Sequence, residues 1–147
     1  MNAEAQVYYS LLVPPQLKDN GAPTGLTYMD TNPNGVNYSQ ASFAIQIGTT
    51  DIATTAAPLI SECDTTDGSY TAISGAALAD AISATEDDGV FVINLDLRYA
   101  HKRYLKCEIT AGNGSAGTNL SVLGILRRPN RTTGSATDTG TTEVINA

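Results

Sequence analysis

The chain has no tryptophan, one histidine and two cysteines in 147 residues, and only 16% of its residues are charged. Each shortage excludes something. Two cysteines are too few for a disulfide-held scaffold, and a chain of this length buries roughly 70% of its unfolded surface without one. One histidine, His101, leaves little room for a Ser-His-Asp triad, and no Gly-x-Ser-x-Gly elbow accompanies it. Charge falls well below the usual ~25%, with Thr, Ala and Gly in its place, which argues against a coiled coil or a long helical bundle. No apolar run approaches ~18 residues, so no membrane span is expected. Residues 1–6 carry neither a basic n-region nor an apolar h-region, so no signal peptide is expected. Cys63 and Cys107 are then expected as free thiols in a reducing compartment, buried in strand-like segments.

Basic residues are scarce in one region and concentrated in another. Up to Leu97 twelve acids face Lys18 alone, a balance of −11. From Arg98 to Arg131 seven bases face Glu108 alone, a balance of +6. The remaining Asp138 and Glu143 bring the sum to the net charge of −7. A chain divided in this way is expected to present a basic face and to choose its partners by charge.

What is present is mostly short β-pattern. Gln6–Val13 is β-branched and aromatic, and Pro14-Pro15 is expected to end that strand. From Pro14 to Asn37 the sequence is broken by Gly21, Pro23, Gly25, Pro33 and Gly35, which reads as an extended arm or surface loop. Phe43, Ile45 and Ile47 alternate with Ala44 and Gln46, a half-buried strand. Leu59–Cys63 and Tyr70–Ile73 flank a loop with Asp67-Gly68 at its tip. Gly75–Ile82 reads as the one helix, about two turns long. Val90–Leu97, Tyr104–Thr110 and Leu120–Leu126 are three further strands, and Glu143–Ile145 adds a possible edge strand to a Thr/Gly-rich tail. The expected fold is all-β: an antiparallel sandwich or barrel, jelly-roll or immunoglobulin-like, of seven to eight strands with one short helix and terminal arms. Residues 1–37 are the expected N-terminal strand and arm, 38–128 the body and 129–147 the tail.

Chemical motifs are thin. Gly112-x-Gly114-x-x-Gly117 matches the dinucleotide fingerprint by letter, but it leads into a strand, with no helix N-terminus to receive a pyrophosphate. Asp64 with Asp67, and Glu86 with Asp87 and Asp88, are carboxylate clusters that turn chemistry explains as well as calcium does. Arg127, Arg128 and Arg131 with Lys102, Arg103 and Lys106 form a basic group. The acidic chain and the lack of interleaved aromatics make direct nucleic-acid binding a poor fit. No catalytic, cofactor or metal residue is assigned, and an enzyme is not expected.

From Ile60 to Pro129 the segments Asp64–Ile73, Gly75–Leu78, Val92–Leu97, Lys102–Thr110 and Leu123–Pro129 resemble small structural proteins from the late gene clusters of tailed bacteriophages. These are of the head-decoration (cement) or auxiliary virion type. That resemblance implies a virion protein on the capsid surface, assembled in the host cytoplasm, with no cofactor. The partners implied are the major capsid protein and further copies of itself, a trimer being favoured. Tyr8, Tyr9, Arg98, Arg103, Arg127, Arg128 and Arg131 are the expected capsid contacts. The competing expectations are a β-sandwich adhesin or glycan-binding module using the seven tyrosines, and a minor tail or head-completion protein.

Overall fold

The structure is a computed structural model that describes residues 7–50, 53–112, 116–127 and 143–147. Its strands are β1 (Val7–Lys18), β2 (Met29–Asp30), β3 (Gln40–Thr50), β4 (Leu59–Cys63), β5 (Thr71–Ala77), β6 (Gly89–Asp96), β7 (Tyr104–Glu108), β8 (Thr118–Arg127) and β9 (Glu143–Asn146). They form a five-stranded sheet, β1-β8-β3-β6-β9, and a four-stranded sheet, β2-β7-β4-β5. All pairings are antiparallel except β6 with β9, which is parallel. The architecture is a sandwich, not a closed barrel.

Period-2 patterning explains the packing. On β3, Phe43 and Ile45 point inward and lie beside Ile93 and Phe91 of β6. Val122 and Leu126 of β8 extend this inner face. The facing surface comes from Ile60 of β4, Leu105 and Cys107 of β7, and Met29 of β2, all fully buried. Each such side chain contributes ~1.5–3 kcal/mol by leaving water. On the opposite face of the larger sheet the polar side chains pair with one another. Ser42 Oγ donates to Asn94 Oδ1 at 2.5 Å, and Ser121 Oγ donates to Gln46 Oε1 at 2.8 Å.

Three expectations change. The helix expected over Gly75–Ile82 is absent; β5 runs to Ala77, and only single 3-10 turns at Pro33–Gly35 and Ala84–Glu86 are helical among the described residues. Gly75 sits at φ +80, outside the right-handed helical region, while Leu78 and Ile82 bury their side chains from an irregular segment. Pro14-Pro15 does not end β1. The strand passes through both prolines to Lys18 with register shifts between Leu11 and Val13 and between Val13 and Gln16. An edge strand tolerates Pro at such irregularities because its outer side has no ladder to supply.

The third change concerns the arm. Residues 19–37 are folded into the body. Gly21 exchanges backbone hydrogen bonds with Ala111, β2 pairs with β7, and the Met29 side chain fills the space above Gly124 beside Leu12. A boundary between arm and body at residue 37 is therefore not seen. At the other end β9 belongs to the larger sheet, and residues 128–142 lie outside the described residues. Met29→Ala is expected to lower unfolding stability by about 2–5 kcal/mol, the usual result of emptying a filled core position. Urea denaturation measures it, and an unchanged midpoint would mean that the segment is not packed.

A candidate protein-docking surface

Strand β1 lies at the edge of the larger sheet, and its rim is closed along one half only. From Leu12 to Gln16 the segment Pro23–Thr27 folds against it. Thr27 donates its N–H to the Leu12 carbonyl at 2.9 Å. Gln16 Nε2 donates to the carbonyls of Thr24 (2.8 Å) and Pro14 (3.1 Å), and its Oε1 accepts from the Thr24 N–H at 3.0 Å. Gly25, at φ +73, allows the turn to lie over the Pro14 ring, which an added Cβ would meet at 3.2 Å. No backbone partner covers the outer rim from Val7 to Leu11 among the described residues.

The side chains of that open run are apolar and in water. Seven large hydrophobics are exposed among the described residues, and five of them lie on β1: Val7 (38%), Tyr8 (38%), Tyr9 (64%), Leu11 (53%) and Leu17 (61%). Val7, Tyr9 and Leu11 share the outer face of the sheet with Arg127, Ile125 and Leu123, their register partners on β8. Tyr8 lies on the other side, its ring 6.4 Å from that of Tyr38. No charged residue occurs from Gln6 to Leu17. Natural edge strands are usually protected by charge, proline or a bulge, and Val7–Leu11 has none of these.

Much of the basic region is engaged within the molecule. Arg98 Nε donates to Asp96 Oδ1 at 2.8 Å, and that guanidinium, two residues away, holds the Asp96 carboxyl down at about 2. Arg103 forks onto both oxygens of Asp30 at 2.9 Å each, and its hydrogen bond is the main cause that lowers the Asp30 pKa. Both pairs are exposed, so they contribute little to stability. The Lys106 ammonium sits 4.2 Å above the Tyr70 ring, while at Lys102 it is the backbone N–H, not the side chain, that donates to Glu62 Oε2. Arg127 differs: it closes β8 opposite Val7 and Gln40, and no salt bridge is formed by it among the described residues. Arg128 and Arg131 lie outside the described residues.

The structure thus brings Tyr8, Tyr9 and Arg127 to one rim and leaves Arg98 and Arg103 elsewhere, each with its own carboxylate. Leu11, Leu17 and Val7 were not among the expected contacts, although the uncharged run from Gln6 to Leu17 marks them. Of the seven tyrosines, Tyr28, Tyr70 and Tyr104 meet on the small sheet, Tyr28 packing edge-on against Tyr104 at 5.1 Å. Arg103 lies 5.3 Å above Tyr104 and Lys106 above Tyr70. A sugar stacking on these rings must displace the cations. His101 is exposed, with Nδ1 2.8 Å from the Tyr99 carbonyl. Gly112 and Gly117 bracket a link that passes from β7 in one sheet to β8 in the other, so it is not a hairpin loop. Cys63 and Cys107 are buried and unpaired, and burial pushes the Cys107 thiol up to about 12. No family model, curated protein or solved structure matches the chain.

A carboxylate depressed in the folded state stabilises fully above its ordinary value, 3.8 for Asp96, and loses that contribution as pH falls through about 2. Arg98→Gln is therefore expected to return the Asp96 midpoint toward 3.8 in a carboxyl NMR titration. The stability difference between the two proteins should close as the solution is acidified through that window. An unmoved midpoint would show that the guanidinium is not the cause.

Proposed function

We propose that this protein is a structural component of a virion: a decoration or cement protein that docks on the outside of an icosahedral phage capsid and stabilises it. One observation carries the reading. Among the described residues, five of the seven exposed large hydrophobics lie on a single, partly open edge strand that is uncharged up to Leu17. A chain of this design favours being joined to protein over standing alone in water. The apolar edge joins the chain to other protein, and modest contacts repeated over a symmetric shell multiply in effect. Resemblance to phage decoration proteins supplies the identity of the shell, with the major capsid protein as partner and a small homo-oligomer as the docking unit.

The charged contacts proposed for the shell reduce to Arg127, followed in the chain by Arg128 and Arg131. Arg98 and Arg103 each already hold a carboxylate, so a shell contact there would have to compete with Asp96 or Asp30. The same self-pairing weakens a nucleic-acid reading, which needs free cations along a backbone track. Glycan binding is weakened by the cations seated over Tyr70 and Tyr104.

The test is a titration of empty shells, assembled without this chain, with the purified full-length protein, followed by quantitative mass spectrometry of washed particles. Saturation at hundreds of copies per shell is the expected outcome. A dozen or fewer would move the protein to a vertex or the tail, and no retention would end the virion reading. Arg127→Glu is expected to weaken retention by about tenfold and to make it less salt-sensitive, as loss of one rim charge pair does.

A further inference from the structure

We infer that the open rim of β1 is filled by the same rim of a second copy, joined antiparallel about a two-fold axis at Tyr9. Among the described residues the open run is Val7–Leu11, and Tyr9, the most exposed large hydrophobic on it, lies at its middle. Thr27 bounds it on one side by taking the Leu12 carbonyl. An isologous contact must suit every residue to its own image. Pairing about Tyr9 sets Val7 opposite Leu11 of the second copy, Tyr8 opposite its Ser10, and Tyr9 opposite its Tyr9. Val7, Tyr9 and Leu11 lie on one face of the sheet, with Leu123 and Ile125 behind them. The contact is therefore a continuous stripe of aromatic and aliphatic side chains, the pair types that favour cross-strand association.

Charge selects the second copy over a different occupant. The chain carries −7, so two copies repel across most of their surfaces. The open run is uncharged, and pairing it with itself sets no like charges opposite one another. A shell protein recruited by charge would be met by a charged rim, and this one offers only Arg127, at its end. Contacts between identical chains are also the more apolar class. The pairing joins two five-stranded sheets into one ten-stranded sheet across the axis, and it replaces the expected trimer with a two-fold pair. Tyr8 and Tyr9 then belong to the contact between copies, and Arg127 with the residues after it is left for the shell.

The experiment uses the full chain alone, so it does not depend on the virion reading. Sedimentation over a wide concentration range is expected to show twice the 15.3-kDa chain mass. Tyr9→Lys places two ammonium groups directly opposite at the axis and should weaken the pair by at least about tenfold. Because Tyr9 is the most exposed of the strand's large hydrophobics in the single chain, the variant should keep its melting temperature at dilutions where both proteins are monomeric. Register is read by oxidation of cysteine variants. Tyr9→Cys should cross-link two copies, because facing Cα atoms lie ~4.5–5.5 Å apart. Leu11→Cys should not, because four residues of offset separate the two sulfur positions by ~13 Å. A monomer at every concentration, a trimer, or a dimer indifferent to Tyr9→Lys would each overturn the inference. A monomer whose β1 amides become protected only when shells are added would overturn it in favour of the capsid protein and leave the proposed function standing. A protein absent from particles that still pairs through Tyr9 would do the reverse.

Discussion

Every backbone N–H and C=O at the rim of a sheet needs water or a partner, and β1 meets this requirement differently along its two halves. Beyond Leu11 the chain closes its own rim. Thr27 reaches the Leu12 carbonyl, and Gln16 acts as a two-way clip on Thr24. That closure requires the segment after Lys18 to turn back, and the turn delivers Met29 into the core and β2 onto β7. One local rim constraint thus links the edge of the larger sheet to the formation of the smaller one. Among the described residues no such closure covers Val7–Leu11, whose large apolar side chains are exposed.

Charge follows a complementary rule. Among the described residues, much of the basic region after Leu97 is engaged within the molecule. Arg98 closes onto Asp96 and Arg103 onto Asp30, while Lys106 lies over Tyr70. The two guanidiniums sit where Coulomb attraction and hydrogen bonding both act, and the Lys106 ammonium sits over a ring face. The chain carries a net −7, and like-charged copies approach one another best where charge is missing. Val7–Leu11 is such a place.

How much of this was legible in the sequence depends on how local each cause is. β3, β4, β6 and β7 were readable because their patterning is set by facing sheets that bury one side of each strand, as with Phe43, Ile45, Phe91 and Ile93. Gly75–Ile82 has helical composition, but Gly75 takes a left-handed φ inside β5, and the burial of Leu78 and Ile82 comes from tertiary packing. Pro14-Pro15 ends a central strand but not an edge strand, and edge position is a property of topology. The Pro/Gly-rich stretch before Tyr38 looked detached because Met29 is a single apolar residue among breakers, and its slot is made by Leu12 and Gly124, remote in sequence. The Arg98–Asp96 pair lay two residues apart and could be anticipated. Arg103–Asp30 spans 73 residues and left no local trace. The uncharged run through β1 was visible throughout, and its meaning required knowing that the strand is an edge.

The central claim is that β1 is closed by its own chain over Leu12–Gln16 and open over Val7–Leu11. Residue-resolved amide hydrogen exchange of the free protein at high dilution tests it most directly. Slow exchange of the Thr24 and Thr27 amides that seal the rim, together with outward-facing amides of Val7–Leu11 that exchange near the unprotected rate and slow on concentration, is the predicted result. Uniform protection of all β1 amides at every dilution would contradict the open rim, and rapid exchange at Thr24 and Thr27 would contradict the closure.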